Sequence, residues 1–234
     1  ADGIVLLKNE PATSALPLSP SDKVALFGVG QITLLAGGGG SAEIYPPYVV
    51  SGLEGMRNAA ANGKFTLVED LAPAYKAYAD AGNQDEMTLT DQQIQSVSAK
   101  ADTAVIYLSR FSSEGSDRTK EPTAYRSYTP YYSTEANPVT FQYSTSYYLS
   151  NQEKTMIEQV KAAFDKVVVV LNVPGATDTS WFVNDAGIDA FFPILRSVVT
   201  LEEAMDPENA RRNMADTAEQ VFRLIQAVRP MQAV

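Results

Sequence analysis

Residues 101–118, ADTAVIYLSRFSSEGSDR, decide how this chain is to be read. Ala104, Val105, Ile106, Tyr107 and Leu108 form a continuous apolar run. A run of that kind is the mark of a strand buried on both faces, as in a parallel sheet. It ends in a polar loop carrying Glu114, Asp117 and Arg118. Loops that leave the ends of such strands are where α/β folds place their chemistry. Serine and glycine around Glu114 let ligand or backbone come close, and Arg118 is near enough in sequence to set the state of the carboxylates. Without further context, a solvated turn with a surface ion pair is the simpler reading.

The flanking sequence supplies that context. Residues 23–28 (KVALFG), 65–70 (FTLVED), 166–173 (KVVVVLNV) and 188–195 read as further strands. Helices are expected over residues 51–61, with Ser51 at the cap, and over 71–81 and 89–100. Another helix opens with Ser150-Asn151-Gln152-Glu153, a capping box, and carries the stripe Met156, Ile157, Val160, Ala163 and Phe164. Alternation of strands and helices with right-handed crossovers predicts a three-layer α/β sandwich around a mostly parallel central sheet. Residues 1–197 are assigned to this domain. The remainder, 198–234, is expected to be a C-terminal helical appendage with an amphipathic stripe over 201–228, and Pro207 starts its second helix. The apolar patch Ile4–Leu7 begins in mid-pattern, as a truncated helix would.

Composition narrows the chemistry. The 234 residues include 18 basic and 28 acidic side chains, a net charge of -10, which argues against nucleic acid because phosphate binding needs a concentrated basic face. Cysteine is absent, which removes disulfides and thiolate chemistry. Histidine is absent too, which removes the serine–histidine triad, the imidazole base and most transition-metal sites. Acid–base work therefore falls to carboxylates, Lys or Tyr, and no cofactor is expected. No stretch approaches the roughly 20 apolar residues that span a bilayer, so no membrane partner is expected. The segment ADGIVLLKNE lacks the features of a signal peptide, so cytoplasmic and trimmed secreted forms both stay open.

Two further stretches carry competing readings. Gly28 and Gly30 begin a dinucleotide-like pattern, but Thr33 stands where its third glycine belongs, and Gly40-Ser41 lacks the lysine of a phosphate loop. Both phosphate readings are rejected. Gly37–Gly40 remain either a tight loop lining a ligand pocket or a flexible surface turn. Residues 119–148 hold more than half of the 12 tyrosines, with Pro130 and Pro138 between them and no sustained period. Such a stretch suits a sugar, which lays its C–H face on aromatic rings, and suits equally a long loop over the domain edge or a partner interface.

Several motifs taken together resemble a known family. GIVLLKNE (3–10) with LPL (16–18), KVALFG, GGGGS (37–41), SSEGSDR (112–118), YLSNQE (148–153) and KVVVVLNVPGATDTSW (166–181) occur in the order of the α/β-sandwich domain of glycoside hydrolase family 3. These are the β-glucosidase-type enzymes. The GVGQ…GGGGS form resembles bacterial members in which the sandwich precedes a (β/α)8 barrel.

The resemblance implies a retaining mechanism with two carboxylates, the active site lying between sandwich and barrel. The nucleophile would be an Asp of the barrel, and Glu114 would be the general acid/base. Ser113 departs from the glycine usual before that Glu. Asp117 and Arg118 would position the loop or touch substrate, and Gly38, Gly39, Gly40 and Ser41 would border the aglycone side. Implied partners are a carbohydrate substrate, a β-linked glucoside, and a barrel domain in cis or on another chain, with a homo-oligomer among the allowed assemblies. No barrel is found in these residues, although NARRNMADTAEQVFRLI resembles the helix that closes the family's barrel. The chain by itself is therefore expected to hydrolyse no glycoside at a normal rate. The rival reading is a non-catalytic carbohydrate-binding or assembly module derived from the same domain.

Overall fold

A computed structural model describes residues 4–33, 49–83, 85–112, 118–121, 125–129, 134–136, 141–173 and 175–195. At its centre the two most apolar runs pair in parallel: β4 (Thr103–Ser109) lies beside β7 (Lys166–Val173), with Thr103 opposite Lys166 and Ser109 opposite Asn172. Each is closed off from water on both faces; Val105, Ile106 and Val168 through Val170 are 0% exposed. Burying each such side chain contributes about 1.5–3 kcal/mol, the main reason these two strands are central.

Around this pair the sheet grows in both directions. β2 (Lys23–Phe27) pairs parallel with β4, and β3 (Thr66–Val68) pairs parallel with β2. On the other side β8 (Ala190–Leu195) pairs parallel with β7. The outermost strand, β1 (Lys8–Asn9), runs antiparallel to β8, giving the order β1-β8-β7-β4-β2-β3.

Helices close both faces. α1 (Gly52–Ala61) lays Leu53, Met56 and Ala59 on one face, where Leu16, Leu18 and Val24 join the same cluster. α2 (Ala72–Asp80), α3 (Asp91–Ser98) and α4 (Asn151–Ala163) cover the other with Tyr75, Ile94, Val97, Met156, Ile157 and Val160. The expected capping residues act as such: Ser51 accepts the N–H of Glu54, and Ser150 accepts that of Glu153. Thr90 with Gln93 forms a third capping box, at the start of α3.

Three segments differ from expectation. Residues 4–9 are not the end of a helix; they are extended along β8, with Val5 and Leu7 donating N–H to Pro193 and Phe191 at 3.3 and 3.0 Å. The outer rim of β8 offers unpaired backbone groups there, and satisfying them outweighs a helix that packing does not support. Within the tyrosine-rich stretch, β5 (Tyr125–Tyr128) and β6 (Phe141–Ser144) pair antiparallel as a separate hairpin. The polar DTSW run starts a short helix, α5 (Ser180–Val183), whose first N–H is held by Asp178 at 3.0 Å. The expected C-terminal appendage lies outside the described residues.

Candidate active site

Counting only the parallel strands, sequence order across the sheet is 2-1-3-4-5, so the direction in which successive strands are added reverses between β2 and β4. In doubly wound sheets the crevice outside the carboxyl ends of the strands at that reversal is the usual ligand site. Here it is framed by the turn after β2 and the loop after β4. The turn is a short 3-10 segment, Val29–Gln31, entered through Gly28 with φ 87°. A Cβ on Gly28 would stand 2.2 Å from the carbonyl oxygen of Tyr107, and one on Gly30 would stand 2.7 Å from the same atom. These glycines let the turn lie directly on the backbone of β4.

The loop after β4 is the one the sequence analysis singled out. Glu114 and Asp117 lie outside the described residues, as do Gly38, Gly39, Gly40 and Ser41. Its two ends are described, and both are pinned. The N–H of Arg110 bonds to Asn172 at 2.9 Å and that of Phe111 to Ser144 at 3.0 Å. At the far end, Thr119 donates to Thr145 at 3.0 Å and accepts from Tyr147 at 2.7 Å. Arg118 reaches across the neck, its Nη1 donating to the carbonyl of Phe111 at 3.4 Å. Of the sequence-predicted site residues, Arg118 is thus placed at the neck of the loop.

At the end of β4, where this loop begins, lies a buried charge network that sequence reasoning missed. Arg110, 1% exposed, grips Glu153 with both arms of its guanidinium, Nη1 to Oε1 at 2.6 Å and Nη2 to Oε2 at 2.7 Å. Glu153 also accepts the N–H of Ser150 at 2.8 Å, and the Ser150 hydroxyl bonds to Asp85 at 2.8 Å. The adjoining Glu86 carboxylate receives the N–H of Val29 at 3.0 Å and that of Met87 at 2.9 Å. Burial pushes Glu86 up to about 8, against the pull of those N–H groups, and the charges of Glu153 and Asp85 add to the rise. Burial, with the like charge of Arg110, holds Arg118 down to about 10.

The capping box at Ser150 was legible, but not that its glutamate also carries a buried ion pair. The one available hint was an arginine immediately after an apolar strand. Glu86 had none, since its run NQDEMTLT looks like any polar connector. Chemically, the bidentate Arg110–Glu153 pair with its Ser150 and Asp85 contacts forms a charge-balanced, fixed anchor at the start of the loop.

Comparison with known proteins agrees with the fold and the motifs. The family described as the glycosyl hydrolase family 3 C-terminal domain matches residues 4–194. Beta-glucosidase A of Butyrivibrio fibrisolvens is 34% identical over 200 residues, covering 81% of this chain and 23% of that protein. A beta-glucosidase of Ruminococcus albus is 27% identical over 214 residues, covering 86% of this chain and 19% of its own length. Beta-glucosidase 3B from Thermotoga neapolitana, solved in complex with glucose, superposes with a TM-score of 0.65 at 29% identity, over 94% of this chain and 28% of that one. The chain therefore spans about a fifth to a quarter of the curated relatives it matches.

Proposed function

This chain belongs to the glycosyl hydrolase family 3 C-terminal domain family, and from that premise we propose that it is the α/β-sandwich portion of a retaining β-glucosidase, supplying Glu114 as general acid/base. A barrel domain, in cis or on another chain, would contribute the Asp nucleophile, and β-linked glucosides would be the substrates. The observation that carries the reading is the SSEGSDR loop, whose two ends are pinned at the carboxyl edge of the sheet, where the strand order reverses. Relatives similar over most of this chain are named beta-glucosidases.

The chemistry fits the composition. This chain has no histidine, and a carboxyl group that protonates the leaving oxygen and then takes a proton from water fits the cycle of a retaining glycosidase. Small residues on either side of Glu114 leave room for an aglycone. Arg118 at the neck would orient the loop, and the glycine-rich segment 37–41 would border the aglycone.

The test is Glu114→Ala in a polypeptide that joins this chain to its barrel. Loss of an acid/base lowers turnover of glucosides with poor leaving groups about 10²–10⁴-fold. On a dinitrophenyl β-glucoside, whose departure needs no acid, added azide then speeds release of the sugar from the covalent intermediate, giving a β-glucosyl azide. Unchanged turnover would sink the assignment. The chain without a barrel should release no measurable glucose from the same substrates.

A further inference from the structure

We propose that Arg110 is a positioning residue for this reaction: through its buried pair with Glu153 it fixes the near end of the 111–118 loop, and with it the place of the Glu114 carboxyl. The inference rests on Glu114 being the acid/base.

Arg110 is the first residue beyond β4, and its backbone N–H is tied to β7 through Asn172 at 2.9 Å. Its side chain bonds back to the end of β4 and reaches two other segments. Nη1 donates to the carbonyl of Ser109 at 3.0 Å, Nη2 to the carbonyl of Tyr148 at 3.4 Å, and both to Glu153 in the first turn of α4. A two-pronged guanidinium–carboxylate contact fixes orientation as well as distance. The Tyr148 carbonyl belongs to the same short run, residues 144–148, that holds the other contacts of the loop. Ser144 receives Phe111, Thr145 receives Thr119, and Tyr147 donates to Thr119. Both ends of the loop therefore hang on one strip of chain, and Arg110 is what locks that strip to the end of β4 and to α4.

Stability alone does not call for such a device. A buried ion pair is often replaceable by apolar side chains of similar volume at no cost, so its value here lies in geometry. The second guanidinium points the same way. Arg118 closes the neck of the loop onto Phe111 from a position where it feels the like charge of Arg110. Glu114 lies midway in sequence between these two arginines.

The experiment uses the barrel-containing polypeptide with three variants: Arg110→Lys, the paired Arg110→Met with Glu153→Leu, and Glu114→Ala as reference. The paired change removes both charges together, so neither is left buried alone, and Arg110→Lys keeps the charge but loses the fork. For each, kcat/KM is measured on an alkyl β-glucoside, which needs acid assistance, and on a dinitrophenyl β-glucoside, which does not. A misplaced acid is expected to lower the first by about 10-fold or more, since a displacement of about 1 Å costs up to 10²-fold, and to leave the second nearly unchanged.

Equal losses on both substrates, or no loss on either, overturn the positioning role. If the paired variant does not fold, Arg110→Lys decides by the same comparison. If Glu114→Ala discriminates between the substrates and the Arg110 variants do not, only the positioning role falls. If Glu114→Ala itself fails to discriminate, the acid/base assignment falls, and the positioning role with it.

Discussion

The Glu86 carboxylate accepts the backbone N–H of Val29 at 3.0 Å across 57 residues of sequence, tying the connector after α2 to the turn after β2. Its sign with pH follows from burial. In the fold the group is pushed up to about 8 from an ordinary value of 4.5, so the fold prefers it protonated. That contribution is complete below 4.5, declines as the unfolded chain ionises first, and is gone once pH passes about 8. The unfolding free energy from urea denaturation should fall between pH 5 and pH 8 by at most about 1.4 kcal/mol per pH unit, and Glu86→Gln should flatten that slope. A slope unchanged by the substitution would show that another group titrates.

Gly28 and Gly63 form a matched pair for testing the turn. Both have positive φ, 87° and 71°, but a Cβ on Gly28 meets the Tyr107 carbonyl at 2.2 Å, whereas nothing lies within 4 Å of one on Gly63. Gly63→Ala should cost about 1 kcal/mol, from backbone strain alone. Gly28→Ala should cost about 2–4 kcal/mol, because strain and overlap add. Equal losses by chemical denaturation would contradict the close approach.

Removing one partner of the Arg110–Glu153 pair should be far worse than removing both. Arg110→Ala leaves a carboxylate buried without its fork and should cost about 3–5 kcal/mol, while the paired change to Met and Leu should recover most of that. The measurement is a double-substitution cycle in guanidinium chloride.

The caps of α1 and α4 should differ in weight. Ser51 serves only its helix in an exposed setting, whereas Ser150, 1% exposed, caps α4 and also donates to Asp85. Ser51→Ala should cost about 0.5–1 kcal/mol and Ser150→Ala about 1–2 kcal/mol, the second also leaving Asp85 short of a donor. Thermal melts of the two variants rank them directly.

The sheet was legible because its strands announce themselves. KVALF, AVIYLS and KVVVVLNV are long apolar runs that fit only a two-sided burial, and the capping boxes mark where helices begin. What stayed hidden depended on tertiary partners. Residues 4–9 take the form of a strand because β8 needs a neighbour, and no local period could announce the β5–β6 hairpin among prolines and tyrosines. The same holds at the candidate site. Glu114 stood out through its motif, whereas Arg110, Glu86 and Glu153 acquire their roles only when Asp85, Val29 and the start of α4 come together.

The two rims of the sheet carry a last consequence, for solubility. The described strands at the edges are only two and three residues long, Lys8–Asn9 and Thr66–Val68, while the valine-rich β7 runs in the interior. A segment such as KVVVVLNV, free of proline and glycine and with one charge, is the kind that stacks into fibrils when it is bared. Here it is flanked by a strand on each side, and the short margins offer little for a second molecule to pair with. Loosening the β8 side, by losing the N-terminal strip along Phe191 and Pro193, would bring that valine run one strand closer to the open edge.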